Sequence, residues 1–223
     1  MPTLPPESIL DHLYRAPQKQ GDGLPPALFL IHGYGSNKED LFSFANYLPG
    51  TFGVVALNAP IRLPFGGYAW YELQFTAGME RLSNLDQART SLDLLQQNCS
   101  YYCEKYGLDT KQVTFLGFSQ GAILSWALAL DAPACVQRVI GLSGVIDPDL
   151  IKRPLASYRN ITAFASHGTQ DATIPIHYSR ETVVPLQENN PHVTYKEYPS
   201  GHTIDPNNFQ DMLAWIHTYS AKG

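Results

Sequence analysis

The sequence predicts an α/β protein built on a mostly parallel central sheet with helices on both faces. Three observations carry that expectation. Short β-rich apolar runs alternate with helical patterns along the 223 residues. Most of those runs are continuously apolar instead of alternating, which is how strands covered on both sides read. Gly, Pro or Asn punctuates each run at its end. A chain of this size hides about 72% of the surface its unfolded form exposes, enough for one large core. No repeat, linker or low-complexity stretch divides it, so residues 1–223 are read as a single domain.

Leu10 to Arg15 reads as an antiparallel edge hairpin. Strands are expected at Ala27 to Ile31, Val54 to Leu57, Val113 to Leu116, Val139 to Leu142, Ile161 to Ala165 and Val193 to Tyr198. Between the second and third of these lies the segment Ile61 to Asn84, dense in aromatic and bulky residues: Phe65, Tyr68, Trp70, Tyr71, Phe75 and Met79. A long helix follows over Asn84 to Tyr106. Asn84 and Gln87 are spaced as a capping box, and Gly107 stands at the C-terminal stop. Its apolar residues Leu85, Ala88, Leu92, Leu95, Cys99, Tyr102 and Tyr106 recur every three or four positions and make one buried stripe. A second helix is expected over Ala122 to Leu130.

Composition excludes several classes of function. The net charge is −5, and the longest basic run is Lys152–Arg153, so nothing resembles a stripe that tracks nucleic-acid phosphates. Three cysteines cannot form a disulfide framework and have no zinc-site spacing. Cys99 and Cys103 are therefore read as core, and neither metal nor cofactor is expected. Met1 to Pro6 lacks the basic and apolar regions of a secretory signal. The most apolar segment, Gly121 to Leu130, is too short to span a bilayer. A cytoplasmic protein without stable membrane association is expected.

Gly117-Phe118-Ser119-Gln120-Gly121 is a G-x-S-x-G pentapeptide, expected by chance about 0.08 times in a chain of this composition. It follows one expected strand and opens one expected helix, the setting of a nucleophile elbow. Its two glycines have a steric reason, since side chains there would collide with the neighbouring strand and helix. A serine needs a base and the base an orienting carboxylate. Ligand-facing loops leave the carboxyl ends of strands in such sheets. Asp171 follows the penultimate strand and His202 the last, which favours them over Asp147 and Asp205, and over His32, His167 and His192. Ser143, in Gly141-Leu142-Ser143-Gly144-Val145, lacks the final glycine of the motif. The oxyanion donors are expected to be the backbone N–H groups of Gln120 and of Tyr34, within His32-Gly33-Tyr34-Gly35. His32 is read as a side chain that holds the loop.

These residues resemble the α/β-hydrolase fold and, within it, the phospholipase/carboxylesterase family of bacterial carboxylesterases and acyl-protein thioesterases. The likeness covers nearly the whole chain. It rests on His32-Gly33-Tyr34-Gly35 with Glu39-Asp40-Leu41, on Asn58-Ala59-Pro60, and on Gly66-Gly67-Tyr68-Ala69-Trp70-Tyr71. It rests also on the Gly117 to Gly121 pentapeptide, on His167-Gly168-Thr169-Gln170-Asp171 with Pro175, and on Gly201-His202. The resemblance implies Ser119 as nucleophile, His202 as base, Asp171 as its partner, and Tyr34 with Gln120 as oxyanion hole. It leaves room for a homodimer. Ser36 stands where the thioesterases usually show Asp, and Glu72 where Asp often follows the aromatic pair, which favours an esterase.

The segment 143–160 is too short for a large lid, so an open, shallow site suited to small soluble esters is expected. Phe65, Tyr68, Trp70 and Tyr71 are the candidate walls of its acyl or aryl pocket, Trp70 foremost. A serine carboxylesterase with an acyl-enzyme intermediate is the leading expectation. A thioesterase or lysophospholipase would use the same triad, and a hydrolase-fold protein that only binds its ligand is the non-enzyme alternative. Free histidines titrate near pH 6.5. For a His202 base, kcat/KM is expected to rise through neutrality and level off in mildly alkaline solution; a profile flat from about pH 5 to 9 removes His202 from that role.

Overall fold

The computed structural model describes residues 8–19, 23–75 and 81–220. Its elements in chain order are β1 (His12–Arg15), β2 (Pro26–Ile31), α1 (Lys38–Phe42), β3 (Gly53–Leu57), and two short hairpins, β4 (Ile61–Arg62) with β5 (Tyr68–Ala69) and β6 (Leu73–Phe75) with β7 (Arg81–Ser83). Then come α2 (Leu85–Tyr106), β8 (Asp109–Phe118), α3 (Gln120–Asp131), β9 (Arg138–Leu142), β10 (Thr162–Gly168), α4 (Ile176–Asn189), β11 (Val193–Tyr198) and α5 (Pro206–Ser220). Seven strands form the main sheet in the order β1-β3-β2-β8-β9-β10-β11. Every pair in it is parallel except the edge pair β1–β3. The expected architecture is therefore present. The N-terminal edge strand differs from expectation in one respect: it makes no hairpin, but lies antiparallel to β3, with Tyr14 opposite Val55.

Alternate residues of the strands feed two separate cores. Ala27, Phe29 and Ile31 of β2 join Val55, Phe115 and Val139 beneath α2, α3 and α4. Leu28 and Leu30 join Val54, Leu116, Ile140 and Phe164 beneath Leu41 of α1 and Met212 and Ile216 of α5. This two-sided burial is why the strands read as continuous apolar runs. α3 is buried along nearly its whole length, from Gln120 to Leu130. Strand β8 begins four residues before the apolar run Val113 to Leu116, because its start, Asp109 to Gln112, is polar and largely exposed, and a bulge separates the Pro26–Asp109 pair from the rest of the ladder.

The cap of α2 is half of a capping box. The Asn84 side chain accepts from the Gln87 N–H, and Gly107 closes the helix in the left-handed conformation. The Gln87 side chain does not return the bond to Asn84; it reaches across to Glu72, accepting from the Glu72 N–H at 2.7 Å. On the buried stripe, Cys99 and Cys103 are core side chains, and the Cys99 thiol faces the Cys135 carbonyl at 3.9 Å. α4 and α5 were not evident from periodicity. α4 follows Pro175 and carries Pro185 within it, and α5 opens on Pro206. Prolines at and inside a helix read as interruptions when only apolar spacing is counted.

Asn98, fully buried in α2, ties the N-terminal segment to the helix. It accepts from the Leu10 N–H at 2.9 Å and donates to Ser8 O and Leu94 O, each at 2.8 Å. Leu10 N–H loses its partner if the amide is removed. Asn98→Ala is expected to lower the unfolding free energy by about 1–3 kcal/mol in a urea titration with little change in slope.

Candidate active site

Ser119 sits between the last residue of β8 and the first of α3, with φ 53° and ψ −118°. A non-glycine residue in that region is strained, at about 1–3 kcal/mol, and persists only where its surroundings fix it. They do so sterically. A Cβ on Gly117 would lie 2.4 Å from the Gly121 carbonyl oxygen, and one on Gly121 would lie 2.0 Å from that of Ile31. The Ser119 N–H donates to Leu142 O at 2.9 Å, while its carbonyl accepts from Ala122 and Ile123. The hydroxyl thereby stands at the N-terminus of α3, where helix geometry leaves N–H groups unspent.

The loops after β10 and β11 bring Asp171 and His202 to this hydroxyl. Nε2 of His202 lies 2.8 Å from Ser119 Oγ, and its Nδ1 lies 2.7 Å from Asp171 Oδ2. The Asp171 side chain is fully buried while that of His202 is 19% exposed, so the relay runs from interior to surface. Oδ1 of Asp171 accepts from the N–H groups of Thr173 and Ile174, each at 2.8 Å. The ring of Phe118 packs 5.0 Å from that of His202. The rival acids have other duties. Asp147 and Asp205 cap turns, accepting from the N–H groups of Asp149 and Asn207, and burial raises the Asp147 pKa above its ordinary value. Ser143 is buried and its N–H bonds Ser166 O.

The loop after β2 passes directly against Ser119: a Cβ on Gly33 would lie 3.2 Å from the Ser119 Cβ. His32 holds this loop from within. Its Nδ1–H donates to Gly33 O at 2.7 Å, and its Nε2 accepts from the Ala59 N–H at 3.0 Å. Burial lowers the His32 pKa, against a smaller opposing effect of the Gly33 carbonyl, so the ring remains an acceptor toward Ala59. Tyr68 clips the outer end of the loop, accepting from the Gly35 N–H and donating to Ser36 O. Ser36 itself bonds Asp40 through its hydroxyl at 2.6 Å.

Of the four aromatic residues expected in the pocket wall, two are placed elsewhere. Trp70 and Tyr71 have no more than 1% of their surface exposed. Trp70 is correctly placed beside the site but beneath it: its Nε1–H donates to His32 O at 2.9 Å. A side chain without accessible surface cannot line an open pocket, so neither is a pocket wall: Trp70 supports the loop and Tyr71 is a core side chain. Phe65 is 73% exposed and its ring lies 6.3 Å from that of Tyr34; Tyr68 is half-buried. Met79 lies outside the described residues.

One support escaped the sequence reading. The Gln120 side chain, fully buried, accepts from the Trp70 N–H and donates to Tyr71 O, each at 2.8 Å. It therefore pins the 70–71 segment to the residue that follows Ser119. The signal available was a polar residue opening an otherwise apolar helix, which the motif explained away as a source of backbone N–H alone.

Fold and relay together define an α/β-hydrolase. The chain belongs to the phospholipase/carboxylesterase family, whose model matches residues 18–220, and is accordingly a hydrolase of the esterase or thioesterase type. It is 25% identical over 207 residues to acyl-protein thioesterase 1 of Saccharomyces cerevisiae, covering 85% of this chain and 90% of that protein. Among solved structures it is similar in fold to a Bacillus cereus carboxylesterase, with a TM-score of 0.78, 19% identity and 94% of each chain covered. It is similar also to Zea mays acyl-protein thioesterase 2, with a TM-score of 0.69, 18% identity and coverage of 94% of this chain and 99% of that one. Among the described residues, no helix is long and apolar enough to cross a membrane.

The Gln120 amide bonds two otherwise buried backbone groups. Gln120→Leu is expected to reduce kcat/KM at least about tenfold and to destabilise the protein by about 2–4 kcal/mol in chemical denaturation. Unchanged kinetics would show that the tie is dispensable for the site.

Proposed function

We propose that the chain is a serine carboxylesterase for small carboxylic esters, acting through an acyl-enzyme with Ser119 as nucleophile, His202 as base and Asp171 as its orienting acid. The observation that carries this reading is the unbroken relay, 2.8 Å from Ser119 Oγ to His202 Nε2 and 2.7 Å from His202 Nδ1 to Asp171 Oδ2. His202 removes the serine proton as Oγ attacks the ester carbonyl. It then returns that proton to the departing alcohol, leaving the acyl group on Ser119. Water, deprotonated by the same ring, attacks the acyl-enzyme and releases the acid and the free serine. The oxyanion of each tetrahedral intermediate is assigned to the backbone N–H groups of Gln120 and Tyr34. Gln120 opens α3, and the loop carrying Tyr34 is packed against the nucleophile. No cofactor enters the sequence of steps.

A preference for short acyl groups is supported by what stands around the site. Between β9 and β10 the chain forms only a 3₁₀ turn at Leu155–Ser157, so no lid domain rises from it. The exposed Phe65 and the half-buried Tyr34 offer an aromatic surface beside the oxyanion loop, with Tyr68 at its edge. These three are the assigned contacts for the acyl or alcohol group. A thioesterase is the second reading, favoured by the likeness to the yeast acyl-protein thioesterase.

Hydrolysis of p-nitrophenyl esters from acetate to palmitate tests both readings. Activity is expected to peak at short chains and to fall at least about 1,000-fold in Ser119→Ala, which also abolishes fluorophosphonate labelling. Faster turnover of acyl thioesters than of matched esters moves the assignment to the thioesterase. Neither turnover nor labelling by the wild type sinks the hydrolase mechanism.

A further inference from the structure

We propose that His167, buried at the end of β10, is a positioning residue that holds the Asp171 carboxylate in line with His202. The inference rests on the triad reading above. The imidazole is fully buried, and its Nε2 lies 2.7 Å from the Ile174 carbonyl oxygen and 3.3 Å from Asp171 Oδ2. A carbonyl oxygen only accepts, so the hydrogen is on Nε2 and is donated to Ile174 O, while Asp171 Oδ2 stands 3.3 Å from the same nitrogen. Oδ2 is the same oxygen that faces His202 Nδ1 at 2.7 Å.

The arrangement closes the acid loop at both ends. β10 ends one residue past His167, the chain turns through Thr169 to Thr173, and Ile174 returns its carbonyl to the His167 ring. Within that loop the Asp171 Oδ1 is turned back onto the Thr173 and Ile174 N–H groups. His167 thus holds Ile174, one of the two residues whose N–H groups grip Oδ1, and sets its own Nε2 3.3 Å from the oxygen that the loop leaves unbonded. With Ile174 released, the donors on Oδ1 would shift and the carboxylate would present Oδ2 to His202 for only part of the time, and the base would lose its orientation with it. His167 touches neither the substrate nor the reacting atoms, so it acts only through Asp171.

Simple packing does not account for this residue. Its Nδ1 is buried with no hydrogen-bond partner among the described residues, a cost that an apolar side chain of similar size would avoid. What the imidazole supplies and an apolar side chain cannot is the single Nε2–H aimed at the acid loop.

The test compares the wild type with His167→Gln and His167→Asn in the full chain. The amide nitrogen of Gln reaches the place of Nε2, whereas that of Asn reaches only the place of Nδ1. With p-nitrophenyl acetate, the Gln variant is expected to keep kcat within about fivefold. The Asn variant is expected to lose about 10- to 100-fold in kcat with KM changed less than about threefold. The low-field proton resonance of His202 Nδ1–H should persist in the Gln variant and broaden or vanish in the Asn variant. The inference is overturned if the Asn variant keeps kcat within about threefold, or if both variants fall alike while the resonance is unmoved. The tautomer is read without any variant: ring ¹⁵N shifts placing the His167 hydrogen on Nδ1 in the wild type overturn it as well. Both NMR measurements stand whether or not the protein turns over an ester, so failure of the hydrolase reading and failure of this one are told apart.

Discussion

The contact on which the rest of the site depends is the one between Gly121 and the end of β2. With the Ile31 carbonyl oxygen 2.0 Å from where a Cβ would be, α3 approaches the sheet more closely than any side chain permits. That approach forces the turn at Ser119 into the left-handed region and sets its hydroxyl above the strand ends. The same contact brings the His32 to Ser36 loop against α3, since Ile31 and His32 are the residues Gly121 touches. One steric fit therefore fixes Ser119 and the loop beside it together. The strain of the turn is offset by the burial of α3 from Gln120 to Leu130.

Parallel register then brings the other two members of the relay into place. Phe118, Leu142 and Ser166 are aligned across β8, β9 and β10, and Gly168 is aligned with Tyr198 across β10 and β11. Ser119 lies one residue beyond that line, so it needs only the elbow to reach the edge. Asp171 and His202 lie further out and need loops of defined shape, which the turn bonds around residues 168–174 and 198–203 provide. Because every strand concerned points the same way, three segments distant in sequence deliver their side chains to one edge of the sheet.

What was legible in the sequence follows the same division. The convergence of Ser119, Asp171 and His202 was readable because each follows an apolar run, and strand ends are marked by punctuation that local chemistry dictates. The sheet was readable because two-sided burial leaves long apolar runs. The misplacement of Trp70 has a clear cause: an aromatic near a site is equally suited to line it or to support it, and only accessibility decides. Trp70 supports it, spending its indole N–H on His32 O. The role of the Gln120 side chain was invisible because its partners, Trp70 and Tyr71, lie about fifty residues away. The polar start of β8 and the proline-bearing α4 were missed because pairing and packing there override the local signal.

Burial also divides the work among the histidines. His32 has two fixed partners, the Gly33 carbonyl and the Ala59 N–H, which demand one tautomer. Its lowered pKa suits that structural task, since a proton on Nε2 would break the bond to Ala59. His167 likewise commits its one hydrogen inside the protein, to the loop that presents Asp171. His202 alone among these three reaches the surface, with a buried carboxyl group behind it and a hydroxyl in front. In the proposed mechanism the proton acceptor must meet both Ser119 and incoming water. The histidine placed to do so is the one that the fold leaves partly exposed, and the two it encloses bond the neighbouring loops from within.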